Sequence, residues 1–180
     1  MKRPVRTLLF GLLAALAFTA CNGTTLNVPL ADFSIQVDAV GYTAGQVVYP
    51  KDPTTFNETY VNVKTITVSG NLKVTYDYDD VVQTPLSMTF YARTQNPGDA
   101  GCTDAGLAWV CSASNETAIS GSYDFNSGDS KTIELGNENP QILAEGLNNG
   151  SIWIGAEVTK GIGTNVLFEF SNLVAHVTLF

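Results

Sequence analysis

Leu72-Lys73-Val74-Thr75-Tyr76-Asp77-Tyr78 alternates apolar and polar side chains without a break. Successive side chains of a strand point to opposite faces, so this pattern predicts a strand with one dry and one wet side. The same period recurs on either side. Leu86, Met88, Phe90 and Ala92 alternate with Ser87, Thr89, Tyr91 and Arg93. Ile152, Ile154, Ala156 and Val158 alternate with Trp153, Gly155, Glu157 and Thr159. Half-buried strands of this kind belong to antiparallel sheets. Further strands are predicted over residues 33–42, 46–49, 60–69, 107–111, 117–125, 131–135 and 165–179.

Turn residues punctuate these runs. Ser69-Gly70-Asn71 predicts a tight hairpin, and Asn126-Ser127-Gly128-Asp129 and Asn148-Asn149-Gly150 predict further turns. Gly161-Ile162-Gly163 is expected to close the last hairpin. The final segment changes phase: Val166, Phe168 and Phe170 are even, whereas Leu173, Ala175, Val177 and Leu179 are odd. A straight strand cannot keep both sets on one face. A bulge at Ser171-Asn172 repairs the register; a two-residue turn there is the alternative. One short helix is predicted over residues 141–145, with Asn139 as cap, Pro140 at its first position and Gly146 at its exit.

Many short strands with at most one short helix define an all-β fold. The expectation is an antiparallel β-sandwich, Greek-key or immunoglobulin-like, of roughly eight to ten strands in one domain over residues 31–180. A membrane barrel is disfavoured by the terminal alternation. Counting back by twos from Phe180 gives Thr178 and His176, which are poor lipid-facing residues.

Charge narrows the function. The chain has 180 residues, 9 Lys+Arg, 17 Asp+Glu and 1 His. Charged residues make up 14%, against a usual share of about 25%. The first twenty residues read as a removable segment containing Lys2, Arg3 and Arg6. Without it, 6 cations face 17 anions, a net charge of −11. Such a surface has nothing to neutralise phosphates, so no nucleic-acid partner is expected. A lone histidine leaves little room for His-based metal or acid–base chemistry. No nucleophile elbow, P-loop or His-Glu-x-x-His is present, and neither a cofactor nor catalysis is expected.

The N-terminus is more specific. Lys2, Arg3 and Arg6 precede an apolar run over residues 8–18, too short to span a bilayer and suited to a signal peptide over residues 1–20. Phe18-Thr19-Ala20-Cys21 follows. This resembles the lipobox of bacterial lipoprotein precursors, with Phe18 where Leu is commoner. The resemblance implies that Cys21 becomes the new N-terminus and carries a diacylglyceryl group. It implies a cell-envelope location, at the outer membrane or cell surface, with the membrane itself as a partner through lipid. The alternative is an ordinary secretory signal cut after Ala17 or Ala20. Residues 21–30, short and uncharged, read as a tether.

Export bears on the remaining cysteines. Cys102 and Cys111 are expected to form a disulfide, because exported chains meet an oxidising compartment. The reading is a structural staple. A redox role wants closer spacing and a basic neighbour, and the sequence places neither beside them. Asp77, Asp79 and Asp80 are candidate Ca²⁺ ligands at one strand end; the plainer reading is a solvated turn. Asp124 to Asp129 lacks the glycine and glutamate of a calcium loop and reads as a hairpin turn. Tyr91 and Trp153 fall on the wet phase of their strands, and Trp109 lies inside the cysteine loop. These three are the candidate surface for a protein or glycan partner. The competing reading is a face covered by a loop or by the tether. The function expected is therefore a non-catalytic binding or structural module of the envelope; the alternative is a carbohydrate-binding module or a carboxylate-based glycan-acting enzyme.

Overall fold

A computed structural model describes residues 25–41, 43–55, 63–78 and 84–180. In chain order the strands are β1 (Thr25–Pro29), β2 (Phe33–Val40), β3 (Gln46–Pro50), β4 (Thr54–Thr55), β5 (Val63–Tyr78) and β6 (Leu86–Arg93). They continue as β7 (Thr103–Asp104), β8 (Ala108–Ser112), β9 (Thr117–Phe125) and β10 (Ser130–Leu135). Helix α1 (Pro140–Asn149) then leads to β11 (Ser151–Lys160) and β12 (Gly163–Leu179). The described strands form two antiparallel sheets packed as a sandwich. The first has the order β1-β12-β5-β10, with β2 also on β12. The second has the order β7-β8-β3-β11-β6-β9, with β4 also on β11. Among the described residues no helix is long and apolar enough to cross a membrane.

The alternating runs behave as their period requires. Leu72, Val74 and Tyr76 point inward from β5, and Leu86, Met88, Phe90 and Ala92 point inward from β6. They meet Val166 and Phe170 of β12, Ile119 and Phe125 of β9, Ile133 of β10 and Leu143 of α1 in one apolar layer. The phase change in β12 is a bulge. Asn172 has φ 53°, and the pairing with β5 slips between Ser171 and Val174. Val166 and Phe170 before it, and Leu173 and Ala175 after it, are all buried. Asp32 supports the bulge by accepting the Asn172 N–H at 2.9 Å.

Several local expectations are corrected. No hairpin forms at Ser69-Gly70-Asn71, where β5 runs straight through. Gly70 pairs with Ile133 of β10 on one side, and Ser69 and Asn71 pair with β12 on the other. Paired on both edges, the strand gains more from its ladders than a turn there would offer. The turns at Asn126–Asp129 and Gly161–Gly163 are real, but each carries the chain from one sheet to the other and closes no hairpin. The helix continues past Gly146, which lies inside it against Ile152. It ends at Gly150, whose φ of 80° is the left-handed cap conformation that glycine adopts at no cost. The tether over residues 21–30 is also shorter than expected, because residues 25–29 are β1. Thr25 pairs with Thr178 and Pro29 with Val174.

Candidate functional site

The outer face of the second sheet is not wet. Trp153, Gly155 and Glu157 alternate along it on β11. Arg93 pairs with Trp153 and Tyr91 with Gly155 across on β6. Val47 and Tyr49 complete the face from β3. Gly155 has a specific reason to be glycine: a Cβ there would stand 2.6 Å from the Tyr49 ring. The missing side chain is the space the tyrosine occupies.

Residues 94–102 and 113–116 flank this face, while β7 and β8 between them extend the same sheet beyond β3. Pro97 is fully buried. Gly98 lies against the Trp109 ring, where a Cβ would come within 2.7 Å. Lys51 sits over the opposite part of that indole, 3.6 Å from the ring centroid, and pairs with Asp104 of β7. That contact, with the Gly106 amide, holds the Asp104 carboxyl below its ordinary range. The Cys102–Cys111 disulfide forms as expected and joins the ends of the hairpin. At the hairpin tip Leu107 is 93% exposed.

Within this face lies a charged network. Glu116 accepts from the Tyr49 hydroxyl at 2.8 Å and from Arg93 Nη1 at 3.0 Å; its side chain is only 4% exposed. Arg93 Nη1 also lies 3.2 Å from Cys102 Sγ and 3.5 Å from Cys111 Sγ. Glu157 accepts from the Tyr91 hydroxyl at 2.7 Å and from the Gly45 amide at 2.7 Å. Burial, then the bond to Glu157, pushes the Tyr91 phenol up to about 12. Burial, then the bond to Glu116, drives Tyr49 higher still. Both phenols therefore remain donors at any ordinary pH, and neither serves as a base.

Two cavities flank the Arg93–Glu116 pair. The larger, about 360 Å³, is bordered by Gly45, Gly101, Cys102, Cys111, Asn115 and Glu116. The smaller, about 160 Å³, is bordered by Ala92, Arg93, Gln95, Thr117 and Ile142. Donor atoms of Cys102, Cys111 and Glu116 all lie within 4.8 Å of one another. The sulfurs are bonded to each other, so they offer no metal a thiolate.

Of the two readings of Tyr91 and Trp153, a partner surface or a covered face, the structure has the covered face. Their exposures are 9% and 8%, because both rings pack on the face that alternation marks as wet with Val47, Tyr49 and Cys111, and with Cys102, Trp109 and Ala113 against them. The Trp153 indole N–H is buried without a hydrogen-bond partner. Trp109 is half-buried and engaged by Lys51. These rings therefore form no flat aromatic strip. Asp77 is exposed and accepts from Asn165 Nδ2 at 2.8 Å, while Asp79 and Asp80 lie outside the described residues. Asp129 closes its own turn by accepting from Asn126 N and Nδ2 at 2.9 and 3.1 Å. Cys21 lies outside the described residues. His176 lies on β12 between β1 and β5, its ring nitrogens bonded to Asn27 and Ser69.

Arg93, Glu116, Glu157 and Tyr49 are the members that sequence reading missed. The available signal was two charged residues, Arg93 and Glu157, standing beside aromatics in otherwise uncharged strand phases.

No family model matches this chain, and no curated protein matches it. Solved structures resemble it distantly. A chain of Bacillus endospore appendages, described as a novel family of disulfide-linked pili, is 13% identical. That match covers 93% of this chain and 100% of the other, with a TM-score of 0.36. A chain of infectious bursal disease virus, Gx strain, is 12% identical over 88% of this chain and 32% of that one, with a TM-score of 0.37. A chain of the T13 particle of the same virus is 14% identical over 98% and 35%, with a TM-score of 0.38. This chain thus spans about a third of the viral chains. What is defined is a class: an antiparallel β-sandwich with a disulfide-stapled, polar second layer.

Proposed function

We propose that the chain is an exported bacterial envelope protein, anchored by lipid on Cys21, whose sandwich serves as a binding or structural module and not as an enzyme. The observation that carries this reading is the N-terminal order: cations, a short apolar run, then Thr19-Ala20-Cys21. The Cys102–Cys111 bridge supports it, since such bridges persist in oxidising compartments. Geometry adds a consequence. β1 begins at Thr25, and the four residue steps from Cys21 reach at most about 14 Å. A lipid on Cys21 would hold the β1 edge of the first sheet close to the bilayer. Acidic residues dominate the domain and anionic head groups repel them, so the acyl chains must supply the attachment. For a protein or glycan partner, the hairpin tip at Leu107 offers an apolar contact on a rigid support, a role first assigned to Tyr91 and Trp153.

Detergent phase partition with intact-mass analysis tests the anchor. The wild-type chain should enter the detergent phase with the added mass of a diacylglyceryl group. Cys21→Ser should stay aqueous or persist as uncleaved precursor. A wild-type chain recovered from membranes without lipid would refute the reading.

A further inference from the structure

The basic neighbour that the sequence did not place beside the cysteines is supplied by the fold. Arg93 stands 9 residues from Cys102 and 18 from Cys111 in sequence, yet β6 delivers its guanidinium against both sulfurs. We propose that Cys102–Cys111 is an exchangeable disulfide, with Arg93 stabilising the thiolates released when a small-molecule or protein thiol enters the adjoining cavity.

Three observations combine. The guanidinium donates toward Cys102 Sγ at 3.2 Å and Cys111 Sγ at 3.5 Å. A cation at that range favours a thiolate over a thiol. One carboxylate, Glu116, faces it and offsets part of its pull on the sulfurs, which lie within 4.8 Å of that carboxylate; its Nε is buried without a hydrogen-bond partner. The cavity of about 360 Å³ opens on the disulfide itself, with Gly45 and Gly101 leaving its wall low. One guanidinium nitrogen reaches both sulfurs, a contact that a disulfide serving only as a staple does not need.

Accessibility sets the order of events. Cys102 is half-buried and Cys111 only 3% exposed. The incoming thiolate therefore attacks Cys102 Sγ. The S–S bond breaks, a mixed disulfide forms on Cys102, and Cys111 departs as a thiolate beside Arg93. A second thiolate attacks the external sulfur of the mixed disulfide. Cys102 then leaves as a thiolate, also against Arg93, and the two entering thiols depart joined as their own disulfide. Two electrons pass from the thiols to the protein, and the protons of the entering thiols end on the cysteines or in solvent. Glu116 is a positioning residue here: pinned by the Tyr49 hydroxyl, it fixes Arg93 and moderates its charge. The charged and titratable groups around the sulfurs are Arg93 from β6, Glu116 after the 113–115 turn and Tyr49 from β3, with the Lys51–Asp104 pair beyond them at the hairpin. This inference does not depend on lipid at Cys21.

The test equilibrates the exported chain in dithiothreitol redox buffers, traps thiols by alkylation and reads oxidised and reduced fractions by mass. The wild type should be half-reduced at a thiol-to-disulfide ratio about tenfold more oxidising than Arg93→Met requires, equal to about 30 mV for this two-electron couple. Glu116→Gln, which frees the guanidinium while keeping a hydrogen-bonding amide, should shift the balance the other way. A second measurement needs no variant. In the reduced wild type, alkylation rates should follow a pH midpoint below the usual thiol value of about 8.5. Coincident midpoints for wild type and Arg93→Met, or an alkylation midpoint at or above the usual value, would overturn the proposal. If Arg93→Met does not fold, the alkylation profile decides alone.

Discussion

The two faces of the second sheet are built by different rules. Its inner face meets the first sheet through side chains that are almost all apolar: Leu86, Met88, Phe90, Phe125 and Ile152. Around Trp153 its outer face is also buried, but with Arg93, Glu116, Glu157 and two tyrosine hydroxyls among its members. An apolar layer forgives small shifts, because hydrophobic attraction has no direction. The charged layer does not, because each donor or acceptor left unpaired costs its full desolvation. The first layer therefore supplies stability. The second ties the cysteine hairpin at the sheet's edge to β3, β6 and the residues after β8.

Truncation in the inner layer should have the largest effect. Phe125 is 0% exposed, and Phe125→Ala should lower unfolding free energy by about 3–5 kcal/mol. Urea denaturation measures it. A loss below 1 kcal/mol would mean that the inner layer is not the main source of stability, and the contrast would collapse.

Glu116→Ala probes the outer layer. It strips acceptors from Arg93 and the Tyr49 hydroxyl while both remain covered. A loss of about 3 kcal/mol is expected in the same assay. Glu116→Gln should cost less than half of that, since its amide oxygen still accepts. Equal losses for the two substitutions would show that packing, not pairing, is what Glu116 provides.

The contrast also explains what could be read in advance. The inner layer follows a period of two, so Leu72 to Tyr76 and Leu86 to Ala92 revealed their faces from spacing alone. The β12 bulge was legible for the same reason, as a change of phase at Ser171-Asn172. The outer layer has no period. Its members come from β3, β6, β11 and the segment after β8, and nothing local says that Cys102, Trp109 and Ala113 pack in one cluster with Trp153. Alternation reports which side chains share a face; it does not report whether a face is later covered. That is why Tyr91 and Trp153 read as exposed. The helix exit was misplaced for a related reason: Gly146 resembles an exit locally, but close packing on Ile152 is what requires it.

Alkali should discriminate between the layers. The Tyr91 phenol is pushed up to about 12, and Tyr49 lies higher, whereas phenols in the unfolded chain ionise near 10. A raised value means that the folded state holds its proton longer. The contribution is therefore complete below pH 10 and is lost as pH rises toward and through the folded values. Melting temperature should fall steeply between pH 10 and 12, with absorbance at 295 nm following the phenolates. For Tyr91 the span amounts to at most about 2.7 kcal/mol. Tyr91→Phe should start less stable at neutral pH and lose less across the alkaline range. An unchanged slope in that variant would place the titration elsewhere.

The smallest effect isolates burial from chemistry. Lys73 and Glu169 face each other across β5 and β12 at 2.8 Å. Arg93 and Glu116 meet at 3.0 Å. The distances are nearly equal, but the first pair is 48% and 42% exposed and the second 14% and 4%. Water competes for the first pair and screens it; the second meets far less of it. A double-mutant cycle on Lys73 and Glu169 should return a coupling of only about 0.2–0.5 kcal/mol. It should shrink further in 1 M salt, where the screening length is about 3 Å. The same cycle on Arg93 and Glu116 should return several times more and barely respond to salt. Should the two cycles agree in size and salt response, the outer layer is permeable to solvent, and the positioning assigned to Glu116 loses its physical basis.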